Sequence, residues 1–361
     1  MLRIVKILIL IIAISLLSKQ ANAQKLAEPL VVYQLDSLWY FIDTDGKQMF
    51  PPQKLVSALG YSEGFFRVVK YLKGKDRWMF LNRKGEIAFV PACDKVKNFS
   101  EGMALLMKYR TDAKDSYIYG FIDTNGNQVL PYIYDDAMEF SEGLAYVHRQ
   151  DTFCFINKKG EIILNLPDGP GSKFINNYAP VVNTTKTQIG YVDKTGKLVI
   201  DYKFDDAGQF TEGLAYVGSL GKYGFIDTTG TVRIPFFFDY VYPFNDGRSV
   251  VGRLDSSNSI IWGMADVIGN RVVDFTLQDM RDLNEGLAAY KKNDKWGFMD
   301  RNGKTIIEAK FDYAESFRNG IAWASIHKEN KYGFINQKGE FVITIPKSEF
   351  IVDLRLNRIV E

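Results

Sequence analysis

Five glutamates stand immediately before a glycine: Glu63, Glu101, Glu142, Glu212 and Glu285. Carboxylates are the groups that hydrolyse glycosides, one as acid and a second, facing it, as base or nucleophile. These five recur once per sequence repeat, as a structural turn residue does, whereas a catalytic centre needs a constellation that occurs once. Asp43-Thr44-Asp45-Gly46 has the outline of a calcium loop, but calcium asks for six or more oxygen ligands over a longer loop. The matching stretches Asn82-Arg83-Lys84-Gly85 and Asn157-Lys158-Lys159-Gly160 put cations where ligands would stand. Hairpin turns are the better reading, and no metal or cofactor is expected. The two histidines, His148 and His327, fall where strands give way to loops, with no Ser-His-Asp or Cys-His grouping around them. No catalytic residue is therefore assigned, and the chain is not expected to be an enzyme. Cys93 and Cys154 occupy positions filled elsewhere by a ring (Tyr134, Phe204) and by glycine (Gly120, Gly224). They read as free, buried core residues rather than as a disulfide.

The elements that position these residues follow from a recurring phrase. Tyr119-Gly120-Phe121-Ile122-Asp123-Thr124-Asn125-Gly126 and Tyr223-Gly224-Phe225-Ile226-Asp227-Thr228-Thr229-Gly230 are its cleanest copies. Its closing glycines are Gly46, Gly85, Gly126, Gly160, Gly196, Gly230, Gly269, Gly303 and Gly339, spaced 34 to 41 residues apart. A period of that size marks a repeat architecture. Within a unit, an aromatic-Asp pair such as Phe204-Asp205 leads to a ring such as Phe210. A Glu-Gly turn and a short strand, Leu214-Ala215-Tyr216-Val217, come next. A variable polar loop then leads to the Tyr/Trp-Gly-Phe-Ile-Asp strand, and the Asp-x-x-Gly hairpin returns it into a further strand. These runs are too short and too rich in β-branched and aromatic residues to be helices. The glycine inside the strand leaves room for a neighbouring ring or backbone. Ile175 to Pro180 is the most degenerate copy, and both ends are atypical. Phe350, Val352, Leu354 and Leu356 alternate with polar neighbours and read as a terminal cap or edge strand.

These phrases, with Lys295-Trp296-Gly297-Phe298-Met299-Asp300 and the Glu-Gly-Leu-Ala follow-on, resemble bacterial WG-repeat (KWG-repeat) proteins from about residue 31 to 345. Departures are Tyr40, Met79 and Cys154 at the usual glycine, and Ala265 and Val267 in Gly263-Met264-Ala265-Asp266-Val267. The resemblance implies a β-rich array, often exported, with variable copy number and no general catalytic residues to carry over. The expected fold is all-β, a tandem array of nine short antiparallel units, either an open, curved, solenoid-like array or a closed propeller-like ring. Propellers typically have 4 to 8 blades, so nine units favour the open form.

Arg3 and Lys6, an apolar run from Ile7 to Leu17, and Ala21-Asn22-Ala23 make a secretory signal over residues 1–23, leaving 24–361 as the array. Its removal changes the formal charge from +2 to −1, because residues 1–23 carry three cations and no acid. A near-neutral chain does not suit nucleic acid, which wants a clustered basic footprint. The mature protein is expected to be exported (periplasmic, cell-surface or secreted) and not membrane-spanning. The leading functional reading is a binding scaffold for a protein or glycan partner at the envelope. A carbohydrate or cell-wall binding module is the alternative, and a hydrolase ranks third. Variation between units maps to one rim of a repeat protein. The candidate binding residues are accordingly Tyr109, Arg110, Tyr117, His148 and Trp262, in or beside the variable loops.

Overall fold

A computed structural model describes residues 28–360, apart from 112–115, 167–170, 184, 186, 349 and 355–357. The signal expected over 1–23, the middle of the loop after Tyr109, and Leu356 lie outside the described residues. Among the described residues there are nine small antiparallel sheets, eight of four strands and one of three. The sheets follow one another along the chain as the nine blades of a β-propeller. The sole helical element described is one short turn, His327–Glu329.

Blade 6 shows the plan. Its strands Asp206–Ala207, Leu214–Ser219, Lys222–Asp227 and Val232–Phe238 lie side by side in chain order. Tyr223 pairs with Phe238 and Phe225 with Ile234, so three residues, 235–237, bulge opposite the single Gly224. A Cβ on Gly224 would stand 2.5 Å from the Ile234 carbonyl oxygen. The small residue is thus required by backbone, not by a ring. Blade 4 differs: there Cys154 replaces the glycine, and no residue bulges opposite it, Cys154 standing opposite Asn165. Both cysteines are free; Cys154 is buried as expected, but Cys93 is only half-buried.

Each blade leans on the next, because three or four short strands cannot enclose a core alone. Between blades 6 and 7 the shared core joins Leu214, Phe225, Ile234 and Phe238 to Phe244, Val251 and Ala265. In several blades the ring before the Gly-ended turn reaches back to a phenylalanine or tyrosine of the preceding blade. The centroid distances are 5.0 Å for Phe121–Phe140, 4.9 Å for Tyr191–Phe210 and 4.7 Å for Phe225–Phe244 and Phe298–Phe317. Such pairs contribute about 0.5–1.5 kcal/mol beyond area burial.

The array closes, which corrects the preference for an open curve. Ile351–Asp353 pairs with the first strand, Pro29–Leu35, with Val352 opposite Val32. The C-terminus thereby supplies blade 1 with two strands, Ile351–Asp353 and Arg358–Val360, that its own N-terminal segment lacks. The expected cap strand is therefore internal to a sheet. Leu30, Val31 and Tyr33 share a core with Trp323, Phe334 and Ile343 of blade 9. The hairpin glycines repeat the message. A Cβ on Gly230 would sit 3.2 Å from Ile200 of the preceding blade, and one on Gly46 would sit 3.4 Å from Ile343 of blade 9. Closure leaves neither end of the array with an uncovered apolar blade face.

The most degenerate copy still folds as a blade, the three-stranded one. Asn176 and Asn177 take the left-handed conformation (φ 53° and 69°) that Glu142 and Gly143 take in blade 4. Asparagine tolerates that region better than most residues.

Candidate functional site

The register gives the ring two unlike rims. In blade 6, Leu214 faces Asp227 at one end, and Ser219 faces Lys222 at the other. Glu-Gly turns and Asp-x-x-Gly hairpins therefore share one rim, and the variable loops share the opposite rim.

On the hairpin rim the repeated carboxylates are bonded into the ring. Glu63 accepts the Gly102 N–H of the next blade at 2.9 Å, Glu101 that of Gly143 at 2.9 Å, and Glu212 that of Gly247 at 2.9 Å. Glu285 accepts from Gly320 at 2.8 Å. Glu142 accepts from both Asn176 and Asn177, at 2.7 and 3.0 Å, and meets Lys194 at 2.9 Å. Asn284 and Glu285 of blade 8 line one cavity of about 390 Å³ with Tyr61 of blade 2. Residues three blades apart meet only near the axis, so the turns converge there. In the hairpins, Asp227 Oδ1 accepts from the N–H groups of Thr229 and Thr231 at 2.9 and 3.1 Å. Chiefly the Thr229 hydroxyl, with these amides, holds the Asp227 carboxyl down at about 2.

On the loop rim the aromatic-Asp pairs anchor the loops. Asp135 accepts from Gln150 N–H at 2.7 Å, Asp205 from Leu220 at 2.8 Å and Asp312 from His327 at 2.7 Å. Cations of the preceding blade reach the same carboxylates: Arg110 meets Asp135 at 2.5 Å, Lys222 meets Asp239 at 2.5 Å, and Lys295 meets Asp312. The Gln150 amide first, then Arg110, keeps the Asp135 carboxyl below its ordinary value.

Four of the five candidate residues come together here. Tyr109 and Tyr117 stack at 4.7 Å on blade 3. Arg110 reaches across to Asp135, whose backbone N–H donates to the His148 carbonyl at 2.8 Å. His148 lies within a strand rather than in the loop, half-buried and stacked on Phe153 at 4.3 Å. Trp262 stands apart on blade 7, beside Tyr242 at 5.8 Å and Tyr240 at 6.1 Å. Its ring lies across Gly252, where a Cβ would stand 3.2 Å from it.

The WG-containing-repeat family matches residues 41–71, 78–109, 119–148, 189–223, 223–252, 262–296, 296–331 and 332–351. This chain belongs to that family. No curated protein matches it. A structure of a eukaryotic initiation factor aligns over 89% of this chain and 97% of its own, at 12% identity and a TM-score of 0.63. Kluyveromyces lactis Hsv2 covers 54% of this chain and 71% of its own, at 14% identity and a TM-score of 0.35. An uncharacterized protein of Listeria monocytogenes EGD-e covers 86% and 95%, at 11% identity and a TM-score of 0.39. The first of these shares the propeller fold.

The longest unmatched stretch within the WG array, 149–188, contains the asparagine turn of blade 5. Sequence reasoning missed Leu220, which stands 93% exposed in a left-handed conformation (φ 52°) on the loop rim. It also missed Tyr240 and Tyr242, which alternation around Val241 would have placed on one face of a WG blade. Lys95 was missed too: its ammonium and the Tyr109 hydroxyl converge on the Tyr117 oxygen, and Lys95 first holds that phenol below its ordinary value.

Proposed function

We propose that this WG-repeat propeller is an exported, non-catalytic scaffold that holds a protein or glycan partner on its variable loop rim. One contrast carries the reading. The polar residues that recur in every unit are bonded into the ring. The exposed rings Tyr109 at 50% and Tyr240 at 43%, and the apolar Leu220, stand at or near the rim where units differ. Hot spots draw on such aromatic residues. The ring group around Trp262 supports the second reading, a glycan-binding module. The basic start and apolar run of residues 1–23 support export to the periplasm, the cell surface or the medium. Among the described residues no helix is long and apolar enough to cross a membrane.

The test immobilises the exported protein and captures partners from envelope extract. Tyr109→Ala/Tyr240→Ala/Trp262→Ala on the loop rim should abolish capture, and Glu212→Ala on the hairpin rim should not. Capture that survives the triple variant with an unchanged melt would overturn the assignment of the loop rim. Mass spectrometry that found residues 1–23 attached to exported protein would overturn the cleavage.

A further inference from the structure

The first residue of the Tyr/Trp-Gly phrase is a ring in eight units: Trp39, Trp78, Tyr119, Phe153, Tyr223, Trp262, Trp296 and Tyr332. Blade 5 alone has an aliphatic residue there, Ile189. The register confirms the equivalence: Ile189 pairs with Phe204 as Tyr223 pairs with Phe238 and Trp296 with Phe311. In blade 8 the Trp296 ring lies against first-strand residues of two blades. Its centroid is 4.7 Å from the guanidinium carbon of Arg281, on its own blade, and 6.5 Å from the Tyr313 ring of blade 9. Blade 5 omits a second ring as well. Pro180 stands opposite Tyr191 where Tyr146 and Tyr216 stand opposite Phe155 and Phe225.

The missing rings leave a cavity of about 460 Å³ between blades 5 and 6, lined by Pro180, Val182, Ile189, Gly208, Gln209 and Tyr216. Its volume is within the roughly 300–1,000 Å³ of ligand pockets. The Tyr216 ring lies across Gly208, where a Cβ would stand 2.2 Å from it. Gln209 Nε2 donates to Ser172 Oγ at 3.3 Å and to the Lys173 carbonyl at 3.2 Å. Its Oε1 is shielded from water and accepts no hydrogen bond. An acceptor left unpaired in such a place costs stability, and a donor relieves it. A pocket short of a ring, walled partly by a ring, suits an aromatic group. A sugar would set several hydroxyls against Met138, Pro180, Val182 and Ile189, which offer them no partner.

We propose that this hollow receives an aromatic side chain of a protein partner, its ring lying on Tyr216 and its hydroxyl or indole N–H meeting Gln209. Val182 and Ile189 pair next to Asn183 and Gln188, the pair that ends the hairpin at the loop rim. The hollow therefore lies just beneath the rim on which the scaffold reading holds the partner. The proposal deepens that reading, rests on it, and commits it to a protein.

Ligand-observed NMR titration of the full chain tests the proposal with four probes: the N-acetyl amides of tyrosine, phenylalanine and leucine, and N-acetylglucosamine. The tyrosine probe should bind best. Ile189→Trp restores the ring of the other eight units, so binding should be lost while the melt holds or rises. Gln209→Leu should weaken the tyrosine probe by about tenfold, as loss of one hydrogen bond does, and leave the phenylalanine probe unchanged. Equal binding of the tyrosine probe to Ile189→Trp overturns the proposal. Leucine amide that binds as tightly as tyrosine amide overturns the aromatic assignment, and N-acetylglucosamine that binds more tightly overturns it in favour of a glycan. Phenylalanine amide that matches tyrosine amide overturns the contact with Gln209. Should Ile189→Trp melt early, the probe series on the parent chain and Gln209→Leu decide instead. Capture from envelope extract separates the two readings. If it survives Ile189→Trp but not the triple rim variant, the hollow falls and the scaffold stands. If it ignores both, the scaffold reading falls too.

Discussion

Blade 6 carries both rims on the same two strands, and they solve opposite problems. At its hairpin end, Asp227 binds the Thr229 and Thr231 amides and turns the chain at Gly230, and Glu212 reaches to the neighbouring Gly247. At its loop end, Leu220 holds a strained backbone and an exposed apolar side chain, and its N–H is tied down by Asp205. One end spends its residues on the ring. The other is anchored just below the surface and left free to differ above it. Changes to the shared frame should therefore cost stability and leave recognition alone, and changes to the loop end should do the reverse.

The largest effect should come from the frame's closure, on which both rims depend. Deleting residues 350–361 removes buried Ile351, Val352 and Leu354. Burial of such side chains stabilises by about 1.5–3 kcal/mol each, so a loss of about 5 kcal/mol is expected. A denaturant midpoint equal to that of the intact chain would show that the ring does not need its closing strand.

Next comes the glycine inside the strand. Gly224→Val drives a side chain against the Ile234 carbonyl and should cost about 3 kcal/mol, the upper range for overpacking. Cys154→Val is the control. In blade 4 no residue bulges opposite Cys154, which borders a cavity of about 380 Å³. That change should cost less than about 1 kcal/mol, as shape-conserving core swaps do. Equal losses in the two variants would separate the glycine from the bulge.

The bulge also marks how far the sequence could be read. The unit, its hairpins, its structural glutamates and the need for a small residue at Gly224 were legible, because turn chemistry and alternation are local. Closure was not. It depends on Val352 finding Val32, more than 300 residues away, and no local pattern encodes a pairing at that separation. The candidate site was half legible. The loop containing Tyr109 and Tyr117 announced itself by its length, but Lys95 lies in another strand of the sheet. The join between Arg110 and His148 runs through Asp135, an ordinary member of the repeat. A residue that serves every unit gives no sign in sequence that it also links two unusual ones.

Acid should weaken the blade 6 hairpin only at low pH. The Asp227 carboxyl is held down at about 2 in the folded chain, below the ordinary aspartate value of about 3.9. A depressed value means that its stabilisation is complete above about pH 4 and is lost as pH falls towards 2. Asp227→Asn keeps the Oδ1 acceptor but not the charge. Its melting temperature should therefore decline less steeply than that of the parent over this interval. Parallel declines would show that the carboxylate charge contributes nothing to the turn.

The smallest effect on stability should come from Leu220→Gly, and it sharpens the contrast most. A left-handed backbone costs a side-chain-bearing residue about 1–2 kcal/mol, and glycine at φ 52° relieves that strain. Glycine also gives the unfolded chain more freedom, which offsets about 0.5–1 kcal/mol of the gain. The side chain is almost wholly exposed, so little packing is lost with it. The melt should consequently stay put or rise by about 0.5 kcal/mol. Under the scaffold proposal, such an exposed leucine in a turn position better suited to glycine belongs to the recognition surface. Capture of the partner should accordingly weaken in Leu220→Gly even as the protein holds its stability. If capture and melt are both unchanged, blade 6 takes no part in recognition, and the binding surface narrows to the blades that carry Tyr109 and Trp262.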